Sequence, residues 1–189
     1  SDVYKRQALN TDPTIDFLYT DEDKITENGR RFNAFYKSDW NPELILNHNY
    51  ITHFVVVKRD LLEKVGGLNS AYNGAQDYDF VLRATEQATK IKHIPGMMYH
   101  WRAIESSTAL NPESKGYAYV AGQKAVQAAT ERRGLKAQVE IAEFYGSYKI
   151  NYLYDHVPMV SLIITNDTEN MSSYLRQLLE KTAYTNYEI

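Results

Sequence analysis

The sequence contains no cysteine, which excludes disulfides and thiolate-bound zinc from its chemistry and fits a reducing compartment. Nor does it contain an apolar run near the roughly 20 residues that cross a bilayer, which excludes a membrane-spanning helix of ordinary length. Charge of one sign is also scarce. Its 21 basic and 24 acidic side chains leave a formal charge of −3, so electrostatics supplies no reason to expect nucleic acid as a partner. The expectation is a soluble, cytoplasmic α/β protein of one domain or a little more. Tyrosine is the residue in excess, with 16 in 189 positions, and its ring packs against apolar surface and sugar faces alike.

An initiator methionine is missing too. Residues Asp2 to Gln7 correspond to what a transposon-end sequencing adapter encodes in one frame, so residues 1–7 are set aside as an adapter-derived scar. The sequence stops at Asn186-Tyr187-Glu188-Ile189, inside an expected strand, and reads as a fragment cut on both sides.

Between the ends, strand and helix signals alternate. Ile15 to Tyr19 is a short apolar strand, and Asp21-Glu22-Asp23 is expected on the loop that follows it. Asn28-Gly29 marks a turn, and Asn41-Pro42-Glu43 opens a short helix carrying Leu44, Ile45 and Leu46. Thr52 to Val57 predicts a buried strand, and Asp60 to Lys64 a helical turn that Gly66-Gly67 stops. A helix is expected over 77–89 with Phe80, Val81, Ala84 and Ala88 on its apolar face. Ile91–Ile94 and Met97–Trp101 predict two short strands around a Pro95-Gly96 turn. Helical territory reopens at Asn111-Pro112 and runs to Arg132-Arg133-Gly134. From Ala137 the texture changes: Gln138–Phe144 and Ser147–Tyr154 read as a β-hairpin around Tyr145-Gly146. Met159 to Ile164 then predicts a buried strand, and Tyr174, Leu175, Leu178 and Leu179 a helix face, the start of a new α/β unit.

Three clusters carry the chemistry. Asp21 and Asp23 after a strand are either solvated loop residues or ligands for a hard cation. Asp77 and Asp79 at a helix start favour the helix dipole, and such a carboxylate can also be aimed into a cleft as a base. In His100-Trp101-Arg102, the Trp fits either core or sugar site, and the Arg either a surface ion pair or a phosphate contact. His53 reads as a core histidine.

Taken in order, Thr20-Asp21-Glu22-Asp23-Lys24, Trp40 to Leu44, His48 to His53, Val65-Gly66-Gly67, Gln76 to Arg83 and Tyr99 to Arg102 resemble successive blocks of family 2 glycosyltransferases. The bacterial branch that builds O-antigen and related surface polysaccharides is the nearest in pattern. The resemblance covers about residues 15 to 134, and residues 157–189 separately resemble the first strand and helix of such a domain. It implies a GT-A, Rossmann-like fold: residues 8–136 as the C-terminal, metal- and acceptor-binding half of one domain, 137–157 as a hairpin linker, and 158–189 as the start of a second transferase domain of the same parent chain. Ile164-Thr165-Asn166-Asp167 departs from the family's Ile-Pro-Thr, which removes the motif support for a nucleotide role of Thr165 or Asn166.

The function implied is inverting transfer from a nucleotide-diphosphate sugar to a glycan or lipid-linked acceptor, helped by Mg2+ or Mn2+, at the inner face of the cytoplasmic membrane. By the same resemblance Asp77 is the base, Asp23 the direct metal ligand, and Asp21 lies toward the ribose or metal waters. His100 completes the metal site, Gly67 and Arg102 approach the donor, and His48, Asn49 and Trp101 shape the acceptor pocket. Two other readings stay open: a non-catalytic scaffold segment of a polysaccharide-assembly protein, and a metal-dependent phosphohydrolase built on Asp23 and His100. A further expectation concerns edge pairing. Val160 to Ile164 could fill the open edge of the Phe17–Tyr19 sheet.

Overall fold

A computed structural model describes residues 2–104, 116–164 and 171–189. The expected helix start at Asn111-Pro112 and the Thr165-Asn166 step lie outside the described residues. The fold is mixed α/β and divides into two compact units, Ser1–Tyr152 and Leu153–Ile189.

The first unit is organised by strand β1 (Phe17–Ile25). One side of it pairs in parallel with β4 (Ile91–Arg102) along its whole length. On the other side it pairs antiparallel with β3 (Val55–Val57) over Phe17–Tyr19 and with β2 (Arg31–Phe35) over Glu22–Ile25. The acidic triplet is therefore inside the central strand, not on a loop after it. The expectation failed because the partners on both sides, rather than the local sequence, extend the strand through these residues. Gly29 (φ 85°) makes the β1–β2 turn as Asn28-Gly29 foretold.

Strand β4 is likewise one element where two were expected. Its register jumps from Thr20↔Ile94 to Asp21↔Met97, so the Pro95-Gly96 step is absorbed as a bulge and the ladder resumes beyond it. β3 is shorter and less buried than the Thr52–Val57 pattern suggested, because Thr52 and the His53 amide are drawn off to the Glu22 carboxylate.

Helices cover the sheet face that carries Phe17 and Tyr19. Preceding the sheet, α1 (Asp2–Thr11) sets Lys5 4.0 Å over the Phe54 ring. The Asn41 side chain accepts from the amides of Glu43 and Leu44 at 3.0 and 2.9 Å, opening α2 (Leu44–Asn47), whose Ile45 and Leu46 are buried. Gly66 (φ 76°) ends α3 (Arg59–Val65). Helix α4 (Gln76–Gln87) buries Tyr78, Val81, Leu82 and Ala84, so its apolar face is turned toward Tyr78 and Leu82 relative to the expected one; Phe80 and Ala88 are only partly buried. Helix α5 (Gly116–Arg132) presents Ala121, Gly122, Ala125 and Ala129, small residues that let it lie close to its neighbours.

The hairpin of β5 (Ala137–Ile141) and β6 (Tyr148–Tyr152) belongs to the same core, through Val139 and Tyr148. In the second unit, β7 (Val160–Ser161), α6 (Met171–Lys181) and β8 (Tyr187–Glu188) form a β-α-β arrangement with parallel strands. Where Val160 to Ile164 was expected to pair with the Phe17–Tyr19 sheet, β7 pairs with β8 in a two-stranded sheet of its own. A strand that follows its own crossover helix is the nearest parallel partner available.

Candidate active site

Alternation along β1 sends Tyr19, Asp21 and Asp23 to one face of the sheet and Glu22 to the other. All three acids are nearly fully buried, and each has a different set of partners.

Asp21 is committed to structure. Its Oδ1 accepts from the Lys37 amide at 2.9 Å and lies 2.8 Å from His93 Nε2, while Oδ2 accepts from the Gly96 amide at 2.7 Å. Burial pushes its pKa up, but these hydrogen bonds prevail and hold the carboxyl below its ordinary range. The carboxylate thus pins the β4 bulge. His93, stacked on Tyr19 with ring centroids 5.0 Å apart, has Asp39 3.4 Å from its other nitrogen.

Glu22 anchors the opposite face. Its Oε2 receives the Lys37 ammonium at 3.2 Å, the Thr52 hydroxyl at 2.9 Å and the His53 amide at 2.9 Å, with His53 Nδ1 at 3.2 Å. Lys37 is buried and also donates to the carbonyls of Ile51 and His53. Desolvation lowers the Lys37 pKa against the pull of Glu22. For Glu22 burial is the largest influence and acts upward, but His53, Lys37 and Thr52 together leave it lowered.

Asp23 sits nearer the carboxyl ends of the parallel strands β1 and β4, where open α/β sheets commonly place ligands. Oδ1 is 2.5 Å from His100 Nδ1, and Oδ2 accepts from Arg31 Nε at 2.6 Å. Burial acts upward on its pKa, and His100 and Arg31 bring it below the usual range. The His100 side chain is 38% exposed and that of Arg31 50%, so the pair opens to solvent on one side.

The other expected residues are distributed around this strand end and the head of α4. Asp77 is exposed in the first turn of α4, and Asn49 Nδ2 donates to it at 3.4 Å. His48 is half-buried beside Tyr50, and burial lowers its pKa. Trp101 is half-buried, with His53 tilted against it at 5.2 Å and the Lys24 ammonium 5.5 Å from its ring. Arg102 is exposed opposite Ile25 at the end of β4. Gly67 follows α3, and its carbonyl accepts from Arg83 at 2.9 Å. The same Arg83 pairs with Asp79 and reaches the Val65 carbonyl, so Asp79 holds the Gly66-Gly67 turn through Arg83.

The structure therefore joins Asp23 to His100 and Asp77 to Asn49. It does not join Asp21 to the first pair, and among the described residues no group of three or more His, Asp or Glu gathers to hold a metal ion. Sequence reading missed Lys37, His93 and Arg31. Lys37 and Arg31 carry no pattern of their own; His93, a histidine between Lys92 and Ile94 inside an expected strand, was the one visible signal.

An α/β sheet with an acid–imidazole pair near the carboxyl ends of two parallel strands defines a ligand-site architecture, not a substrate. Comparison narrows the field. No protein-family model matches the sequence. The chain is similar to an uncharacterized protein of Sinorhizobium fredii, y4gI, with 37% identity over 97% of this chain and 21% of that protein. It is also similar to the O-antigen biosynthesis protein RfbC of Myxococcus xanthus, with 33% identity over 96% of this chain and 14% of that protein. The chain thus spans less than a quarter of the length of either relative.

Proposed function

We propose that the first unit is the acceptor-side half of an inverting GT-A glycosyltransferase of family 2, acting in bacterial surface-polysaccharide synthesis. The donor is a nucleotide-diphosphate sugar and the acceptor a glycan or lipid-linked glycan. The observation that carries this reading is the Asp23–His100 pair near the carboxyl ends of β1 and β4, with the exposed Asp77 beside Asn49 at the head of α4. Likeness to a protein named for O-antigen biosynthesis supports the pathway, and the β-α-β arrangement of Leu153–Ile189 supports the opening of a second domain of the same kind. A lipid-linked acceptor would be met at the inner membrane surface; no described helix is long and apolar enough to cross a membrane.

In this reading Asp77 takes the proton from the acceptor hydroxyl as its oxygen attacks the anomeric carbon. The bond from that carbon to the diphosphate breaks as the new one forms, and attack from the opposite side inverts the centre. Asn49 holds the Asp77 carboxylate toward the acceptor. Arg31 and Arg102, both cationic and open to solvent, are available to the departing diphosphate.

The expected metal set fits only in part. Both oxygens of Asp21 are occupied by Lys37, His93 and Gly96, so it is unsuited to ligation. Asp23 is likewise bonded through both oxygens, to His100 and Arg31, but these partners are partly exposed, so a cation would be held there by displacing one of them and by taking phosphate oxygens for its remaining positions. Mg2+ or Mn2+ bound there would neutralise charge on the diphosphate.

The test is Asp77→Asn in the full-length protein, assayed for transfer with and without acceptor. Removing a positioned base lowers the rate by about 10^2- to 10^4-fold. Undiminished transfer would show that Asp77 is not the base, and donor cleavage equally fast without acceptor would point to hydrolysis.

A further inference from the structure

Tyrosines from α5 and from the hairpin line one side of the Asp77 helix head. Gly74 (φ 97°), just before α4, lies so close to Tyr117 that a β-carbon there would stand 2.6 Å from its ring. Tyr119 stacks on Tyr145 of the hairpin turn, with centroids 5.5 Å and planes 29° apart. That turn is fastened to the segment carrying Asn49. Ser147 bridges to His48, and Asn47 Nδ2 donates to the Tyr148 carbonyl at 2.7 Å. Asn49, two residues on from Asn47, contacts Asp77. Burial, Tyr119 and the charge of Asp77 together push the Tyr148 hydroxyl up to about 12, which agrees with this proximity.

Tyr145 is 59% exposed although it stacks on Tyr119. We propose that the Tyr119–Tyr145 stack forms a platform for the pyranose rings of an extended glycan acceptor, which delivers its terminal hydroxyl to Asp77. The apolar C–H faces of a pyranose match an aromatic ring, and phenolic hydroxyls reach the sugar hydroxyls around it. A phosphate-bearing headgroup calls instead for Arg or Lys. The Asp77 carboxylate, close enough to act on the same Tyr148 hydroxyl as Tyr119 does, disfavours an anion. The substrate class that follows is a neutral oligosaccharide of at least two sugars. The proposal rests on the transferase reading for its meaning, while its binding test stands apart from transfer.

The experiment titrates the full-length protein with cellohexaose, maltohexaose and chitohexaose, and with methyl glucoside as a single-ring control, by saturation-transfer NMR without donor. At least one hexaose is expected to bind at least about tenfold more tightly than the control, since successive rings add stacking contacts. Tyr145→Ala is expected to weaken that binding about fivefold, and Tyr145→Phe to retain it, because the ring rather than the hydroxyl carries the contact. If no hexaose binds more tightly than the control, or Tyr145→Ala binds as well as the parent, the platform is wrong. Loss of binding in Tyr145→Phe as well as in Tyr145→Ala would also overturn it. Neither result depends on whether Asp77→Asn abolishes transfer in the full-length protein, so the two readings fail separately.

Discussion

Consecutive carboxylates at positions 21, 22 and 23 do different things because a strand turns alternate side chains to opposite faces and because their partners differ. Asp21 is satisfied by two backbone amides and a buried imidazole, Glu22 by a buried ammonium, and Asp23 by the partly exposed His100 imidazole and Arg31 guanidinium. Only the last arrangement opens to solvent. The Glu22–Lys37 pair is the most testable of the three. Its ammonium is fully buried, so removing one charge strands the other in a medium that solvates it poorly. Lys37→Met is expected to cost about 3–5 kcal/mol in urea unfolding. Adding Glu22→Gln should recover part of that loss, since the residues share one contact and their effects are not additive. A Lys37→Met protein as stable as the parent would show that the pair does not organise the Ile51–His53 turn. At this scale the sequence was only partly legible. Asp23 and His100 could be matched across 77 positions because motif blocks flag them, whereas Lys37 stands between Tyr36 and Ser38 with nothing local to mark it.

Among the elements, the helices were largely readable and the strands less so. Helix α4 was found because its apolar spacing is intrinsic to the segment, and its face was misjudged by the omission of Tyr78 and Leu82 and the inclusion of the partly buried Phe80 and Ala88. Strand β1 was cut short because Thr20 to Lys24 is polar in every position, and only β2 and β4 reveal that these residues are strand. The β4 bulge was hidden for a related reason: Pro95-Gly96 looks like a turn until Asp21 is seen to hold the Gly96 amide. Asp21→Ala should therefore free that bulge. Losing the carboxylate leaves the Gly96 and Lys37 amides without partners, at about 1–3 kcal/mol each if water does not replace it. Hydrogen exchange at Gly96 and Lys37 is expected to speed up more than at Phe17 or Leu18; uniform acceleration would mean that the loss is global and the bulge has no special dependence on Asp21. The hairpin makes a second element-level case. A β-carbon on Gly122 would stand 1.9 Å from the Tyr148 hydroxyl, so Gly122→Ala must push the ring or the helix aside, at about 1–3 kcal/mol. Tyr148→Phe removes the nearest atom, and in the double variant it should restore part of the loss. If it restores none, the clash is not what separates α5 from β6.

For the molecule as a whole, pH dependence follows from the number of carboxylates held below their ordinary range. Asp16, Asp21, Glu22 and Asp23 are all lowered, from model-compound values of 3.8 for Asp and 4.5 for Glu. Each faces a cost of burial and each overcomes it, Asp16 through the amides of Thr89 and Lys90 and the others through the partners already named. A carboxyl with a lower pKa in the folded state binds fewer protons there than in the unfolded chain, so acidification favours unfolding. The stability contributed by these groups is fully present above the ordinary range and is lost as pH falls through about 4.5 and then through the lower folded values. Because all four bear on β1 or the residue just before it, their protonation acts on one strand rather than on scattered surface sites. Urea midpoints followed by circular dichroism should hold nearly level from pH 7 to 5 and then decline steeply toward pH 3. Asp21→Asn, with one titrating group fewer, should start from a lower stability and decline less steeply over the same interval. An unchanged slope in that variant would mean that Asp21 has the same pKa folded and unfolded, and that its bonds to Lys37, His93 and Gly96 do not favour the charged form.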